Sequence, residues 1–320
     1  MSSFSAIISA YITIIIGIFG LFGNVNLLVA VARKKKLRSR CGLLMALVAF
    51  YDSICIVFMF FQSLVFIFEF AYTTRSCFNA IFLFLFVQHL QICTVLSVAV
   101  DRLVSIVFPV QYRTMKTTTW MFLTLIVGLI PNAVFLPWAY FTATDSPVEG
   151  CYPPNALPDA VAVWWSRMLL MVNSAIVIVY ISVIIAIRLS SRKFSKSLQD
   201  QQAKNFFETQ KKAMHTVSYI IIALCSTKFL TDTICLMWYD FPALIEYPWF
   251  FVVGDAVSVT IMFQYSLNYY VYSWRSAEYG EVFKEQLVVI LPFLRSACFE
   301  NKMLFFKRSK GSTASTTVTN

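Results

Sequence analysis

The chain has 320 residues, of which 59% are hydrophobic and 13% charged, with a mean hydropathy of +0.71. A soluble domain carries about 45–50% apolar and about 25% charged residues, so this composition points to a membrane protein. The net charge of +10 does not point to nucleic acid, because the basic residues sit between apolar runs rather than in one patch.

A helix crosses the hydrocarbon core with about 20 apolar residues. The first run that meets this is Ala6–Val31. It exceeds the about 7–15 residues of a signal-peptide core and no basic segment precedes it, so it is expected to be a first span that also serves as insertion signal. Gly42–Phe68 follows and holds Asp52. The third run, Cys77–Phe108, is punctuated by Asp101–Arg102, so its end is expected to reach the headgroups. The fourth, Thr118–Thr142, contains Pro131 and Pro137, which a membrane helix tolerates as kinks. Ala160–Leu189, Ala213–Tyr239 and Pro248–Trp274 bring the predicted spans to seven. Trp138, Trp164, Trp165, Trp238, Trp249 and Trp274 fall near span ends, as an interfacial belt requires.

Lys and Arg set the expected orientation. Arg33, Lys34, Lys35, Lys36, Arg38 and Arg40 follow the first span, Arg113 and Lys116 the third, and Arg192, Lys193, Lys196, Lys204, Lys211 and Lys212 the fifth. Seven more, from Arg275 to Lys310, follow the last span, whereas the other side has only Arg75 and Arg167. The positive-inside rule therefore puts the N-terminus outside and the C-terminus inside. The outer loops hold Glu69, Asp145, Glu149, Asp159, Asp240 and Glu246, either a solvated face or an attraction for a cationic ligand.

Within 276–290, Tyr279, Val282, Phe283, Leu287 and Ile290 recur at helical spacing among charged residues. That pattern predicts an amphipathic helix lying on the inner leaflet. The predicted fold class is thus an all-α integral membrane protein, a seven-transmembrane helix bundle with an amphipathic eighth helix. Residues 1–290 form the bundle domain and 291–320 a cytoplasmic tail with a Ser/Thr-rich end.

Of the eight cysteines, Cys77 and Cys151 face outward, where an oxidising environment is expected to pair them and pin the second outer loop over the bundle mouth. Cys298, among basic residues near the inner surface, is a candidate for palmitate or a plain free thiol. Ionisable and amide groups inside the membrane are costly and mark function or interhelical contact. Asp52, Asn24, Gln91, Gln264 and Asn268 come from different spans and are expected to share a polar core, with water or a sodium ion near Asp52. Arg102 either pairs with its neighbour Asp101 in one state and turns elsewhere in another, or simply snorkels.

These residues together resemble the rhodopsin-like receptor family. Gly23-Asn24 is similar to its first-span signature, and Asp52 to its second-span aspartate. Cys77 stands 25 residues before Arg102, the family's spacing between its disulfide cysteine and span-three arginine. Asp101-Arg102-Leu103, with Ile106 and Pro109 after it, resembles the Asp-Arg-Tyr segment with Leu for Tyr. Asn268-Tyr269-Tyr270-Val271-Tyr272 resembles Asn-Pro-x-x-Tyr with Tyr for Pro. Tyr180 stands in place of the span-five tyrosine, and Tyr279 and Phe283 resemble the eighth-helix aromatics. The likeness runs from about residue 6 to 290. The chain departs from the pattern in lacking the span-six Cys-Trp-x-Pro toggle (Thr227 or Lys228 falls near the missing Trp), the span-five proline and the central span-four tryptophan. The few residues ahead of the first span, the missing prolines and the Asp-Arg-Leu and Asn-Tyr-x-x-Tyr forms resemble nematode serpentine chemoreceptors, particularly the Srsx class.

The resemblance implies a plasma-membrane receptor that takes an extracellular ligand in the outer half of the bundle, under the disulfide-tethered loop. Asp101, Arg102, Pro109, Tyr180, Asn268 and Tyr272 would then form the activation switch and the coupling surface for a heterotrimeric G protein. Phe84, 18 residues before Arg102, stands where amine receptors carry an Asp, which argues against a biogenic amine. Other pocket candidates are Gln88, His89, Lys228, Asp232, Asp255 and Ser258. Lys228 and Asp232, four residues apart, share a helix face and could pair with each other.

An odorant or pheromone is the expected ligand class. A neuropeptide or neuromodulator is the alternative, and a seven-helix transporter or non-signalling membrane protein a rival from another class. No internal repeat supports a transporter, and span seven has no lysine for a retinal Schiff base. With two His on different spans, a metal centre is not expected, nor is a catalytic one.

Overall fold

The computed structural model describes residues 4–148, 150–197, 228–237, 240–241 and 247–290. The predicted span Ala213–Tyr239 is therefore described only from 228, and Cys298, Glu149, Glu246 and the tail 291–320 lie outside the described residues.

Five helices are long and apolar enough to cross a membrane among the described residues: α1 (Phe4–Arg33), α2 (Arg40–Phe68), α3 (Thr74–Val107), α5 (Thr117–Thr142) and α7 (Asp159–Ser197). The short α4 (Pro109–Thr114) and α6 (Pro153–Ala156) lie between them. Helical residues 228–237 form α8. The last predicted span is two helices, α9 (Pro248–Ser266) and α10 (Asn268–Arg275), followed by α11 (Ala277–Ile290).

Caps fix the helix starts. Ser39 accepts the Gly42 N–H at 3.2 Å to begin α2. Thr73 and Ser76 form a reciprocal capping box at α3, satisfying donors that a helix start leaves orphaned. A Cβ on Gly42 would collide with the Leu37 carbonyl, so only glycine admits this tight return from α1 into α2.

Helix α3 is the axis of the bundle. In its most apolar stretch 67% is buried, against 28% for α5, which presents Phe122, Ile130, Val134 and Phe141 outward. The core runs through Ile56, Phe78, Ile81, Leu85, Ile92, Leu169, Ile176 and Met262. Along α1, Gly17, Gly20 and Gly23 are buried and recur every third residue, so the backbone approaches α9 and α10 closely. A Cβ on Gly23 would stand 2.8 Å from the Tyr269 Cβ, the small-residue contact by which membrane helices pack without a hydrophobic drive.

At one end of the bundle Tyr72 and Thr73 pair antiparallel with Val148 and Pro147. Cys77 and Cys151 are disulfide-bonded beside that ribbon, both fully buried. Arg75 adds a third fastening, donating to the Ala143 carbonyl at 2.7 Å and pairing with Asp145 at 3.4 Å. The expected pairing of the two outward cysteines is thus present.

Candidate functional site

Polar residues of α3 and α10 converge on Asp52 of α2. Its side chain is fully buried; one oxygen accepts from Gln91 Nε2 at 3.0 Å and the other from Asn268 Nδ2 at 2.6 Å. Asn24 donates instead to the Tyr265 carbonyl at 3.0 Å. That carbonyl lies just before Leu267, where the helix is interrupted between α9 and α10. A carboxylate held by two amide N–H groups from different helices is satisfied without water, and it ties the break in the last span to the centre of the bundle.

A cavity of about 90 Å³ adjoins this cluster. Gln91, Gln264, Asn268, Asn173, Lys228, Tyr180 and Tyr272 bring polar atoms to its wall, with Ile92, Val95 and Ile176 as apolar lining. Gln91 and Gln264 of the polar core and Tyr180, Asn268 and Tyr272 of the switch thus share one chamber, whereas Asn24, Asp52, Asp101, Arg102 and Pro109 do not line it, and Lys228, expected in an outer ligand pocket, belongs to it too. Lys228 does not form the ion pair with Asp232 that their spacing allows; the Asp232 carboxylate accepts from Asn173 of α7. Its ammonium lies 5.9 Å from the centre of the Tyr265 ring. The surroundings suit a sodium ion poorly: both amides beside Asp52 turn N–H groups to it, and the chamber already holds a positive charge.

The remaining pocket candidates are dispersed. Phe84 is buried against Phe58, ring centres 6.1 Å apart. His89 Nδ1 lies 2.7 Å from Asn132 Oδ1, and Asn132 donates to the Phe86 and Gly128 carbonyls, each at 3.1 Å. His89 thus acts as the bolt between α3 and α5. Gln88 is buried beside it. Asp255 accepts from Ser5 at 2.6 Å, joining α9 to the start of α1, and Ser258 is exposed and donates to its own helix at Gly254.

At the opposite end from the disulfide, Asp101 has a basic partner that differs from the expected Arg102. It is Arg40, whose Nη1 lies 3.7 Å from Asp101 Oδ1, with both side chains almost wholly buried. Arg40 also donates to the carbonyls of Tyr112 and Met115, at 3.2 and 2.5 Å, and stacks over the rings of Tyr112 and Trp120. The Tyr112 hydroxyl donates to the other Asp101 oxygen at 3.1 Å. Burial, and next the Asp101 carboxylate beside it, hold the Tyr112 phenol above its usual pKa. Pro109 opens α4 and so aims Tyr112 back at α3. Arg102 is half-buried.

The family model described as serpentine type 7TM GPCR chemoreceptor Srsx matches residues 17–287. The chain belongs to that family. No curated protein matches it. The Srsx match covers all the helices described above except the first turns of α1 and the end of α11, and it agrees with the seven-helix membrane fold and the chemoreceptor class read from the sequence. Within the Srsx chain, sequence reasoning missed Arg40, Tyr112, Asn132 and Asn173. Arg40 was counted as one more basic loop residue; its signal is that it begins a helix whose next charged residue is Asp52.

Proposed function

We propose that this Srsx chain is a chemosensory receptor of the plasma membrane, with its disulfide end outside. A small extracellular molecule binds in the outer half of the bundle, and a heterotrimeric G protein docks at the basic end. The observation that carries this reading is the family match over residues 17–287. The chamber lined by Asn268, Tyr180 and Tyr272, with Asp52 bonded to Asn268 beside it, supports it, since a two-state switch needs side chains from several helices in one place. Ligand binding shifts the balance only by its differential affinity for the two states. In the inward-open state Arg102, Tyr180 and Tyr272 line the surface that receives the G protein, and α11 lies on the inner leaflet.

Among the acidic residues of the disulfide end, Asp145 is paired with Arg75, and Asp240 lies 3.7 Å from Arg167. These two charges, neutralised by their partners, contribute little to attracting a cationic peptide, and to that extent they favour a small molecule over the peptide alternative.

G-protein activation in membranes by a panel of volatiles, metabolites and peptides, run beside Arg102→Ala, tests the reading. A ligand-dependent signal lost in the variant supports it. Equal signals in both would remove Arg102 from the switch, and silence across the panel with good surface expression would move the chain to a non-signalling role.

A further inference from the structure

Among the described residues, Lys228 is the one cation in the wall of the chamber that Gln91 and Asn268, the two amide partners of Asp52, also line. Three observations fix what it does there. First, it is not consumed by an ion pair: among the described residues no carboxylate lies within 4.0 Å of its ammonium, and Asp232, on the same helix face, is held by Asn173. Second, its field reaches two buried carboxylates, Asp52 and Asp232, neither of which has an Arg, Lys or His in contact among the described residues. Third, the chamber of about 90 Å³ has room for about three waters at their liquid volume. That is enough to bridge an ammonium to the Asp52 cluster through hydrogen bonds, and the lining amides and phenols supply the remaining partners.

A sodium ion near a buried carboxylate does two things: it balances the charge and it holds oxygen ligands from several helices together. Here the charge is supplied by a side chain. A mobile cation entering the same chamber would meet the ammonium in a weakly screening interior, and would have to turn the Gln91 and Asn268 amides, whose N–H groups now satisfy Asp52.

We propose that Lys228 is a tethered counter-ion for the Asp52 centre, occupying the role of a bound sodium ion and making the fold indifferent to sodium. Because the cation is carried by span six rather than exchanged with solvent, it is present at every salt concentration.

The test is thermal unfolding of the full-length protein in detergent, in 150 mM NaCl against the same concentration of choline chloride, for wild type, Lys228→Met and Lys228→Met with Asp52→Asn. Wild type should show equal Tm in the two salts. Lys228→Met should be less stable in choline and regain about 3 °C in sodium, and the added Asp52→Asn should abolish that gain. Lys228→Gln replaces Lys228→Met if the latter does not fold. A sodium-specific rise in wild-type Tm overturns the proposal, as does a Lys228 variant that gains no sodium response. The readout is stability, so a chain that fails to activate a G protein can still pass or fail it.

Discussion

Tyr112 holds Arg40 and Asp101 at once: its ring lies 4.3 Å beneath the guanidinium and its hydroxyl 3.1 Å from the carboxylate. The acid of the Asp-Arg-Leu segment is thereby engaged from α2 and α4, leaving its neighbour Arg102 outside the pair.

Removing Arg40 strands a buried carboxylate. Arg40→Met is expected to destabilise the fold by about 3–5 kcal/mol, whereas Arg102→Ala should cost little. Adding Asp101→Asn to Arg40→Met should recover much of the loss. A double-mutant cycle on thermal stability reads the coupling, and additive effects would break the pair.

Tyr112→Phe keeps the ring under Arg40 and deletes one hydrogen bond, so it should cost about 1 kcal/mol near neutrality. The raised phenol pKa adds a pH signature. A folded state that holds its proton above the unfolded value gains stability below that value and loses it as pH climbs through the folded one. The wild-type advantage over Tyr112→Phe should therefore shrink on the alkaline side, above the ordinary tyrosine range of about 10. A constant difference across that range would contradict the placement.

Tyr269 fills the place of the family proline by packing, its ring 4.3 Å from that of Phe283 and edge-on to Phe22 at 6.2 Å. Tyr269→Ala should cost about 3–5 kcal/mol and loosen α11, seen as faster amide exchange over 277–287. Tyr269→Phe should behave as wild type. Gly23→Ala, forced against the same residue, should cost about 1–3 kcal/mol.

Cys77→Ser opens a link across 74 residues. A loss of about 2–5 kcal/mol is expected, with surface expression falling as the ribbon at Tyr72 and Val148 loosens. Cys151→Ser should match it, and the double variant should be no worse than either.

The five long spans of the described residues were legible because twenty apolar residues in a row have few other meanings, and the Cys77–Cys151 bond because the other cysteines of the chain fall within spans or on the basic side. Asp52, Gln91 and Asn268 could be read as a cluster, since charge and amides inside lipid must find one another. Which amide reaches which oxygen could not, because that depends on helix rotation. Arg40 hid among loop cations, its partner far along the chain. His89 was visible as an interior residue, but a lone Asn132 in an apolar run does not announce which neighbour it faces. The Lys228–Asp232 spacing suggested a pair; packing gave Asp232 to α7 instead.

The interruption at Leu267 is made without a proline, and that changes what kind of joint it is. Residue 269 keeps an N–H. In an unbroken helix that N–H would go to the carbonyl of Tyr265, the same carbonyl that Asn24 now occupies. A pyrrolidine ring would delete that N–H; with tyrosine at 269 the backbone donor remains, and the Tyr265 carbonyl has two lone pairs to share between it and the Asn24 amide. The joint of the last span is therefore stitched to the first helix by a side chain rather than fixed by a ring.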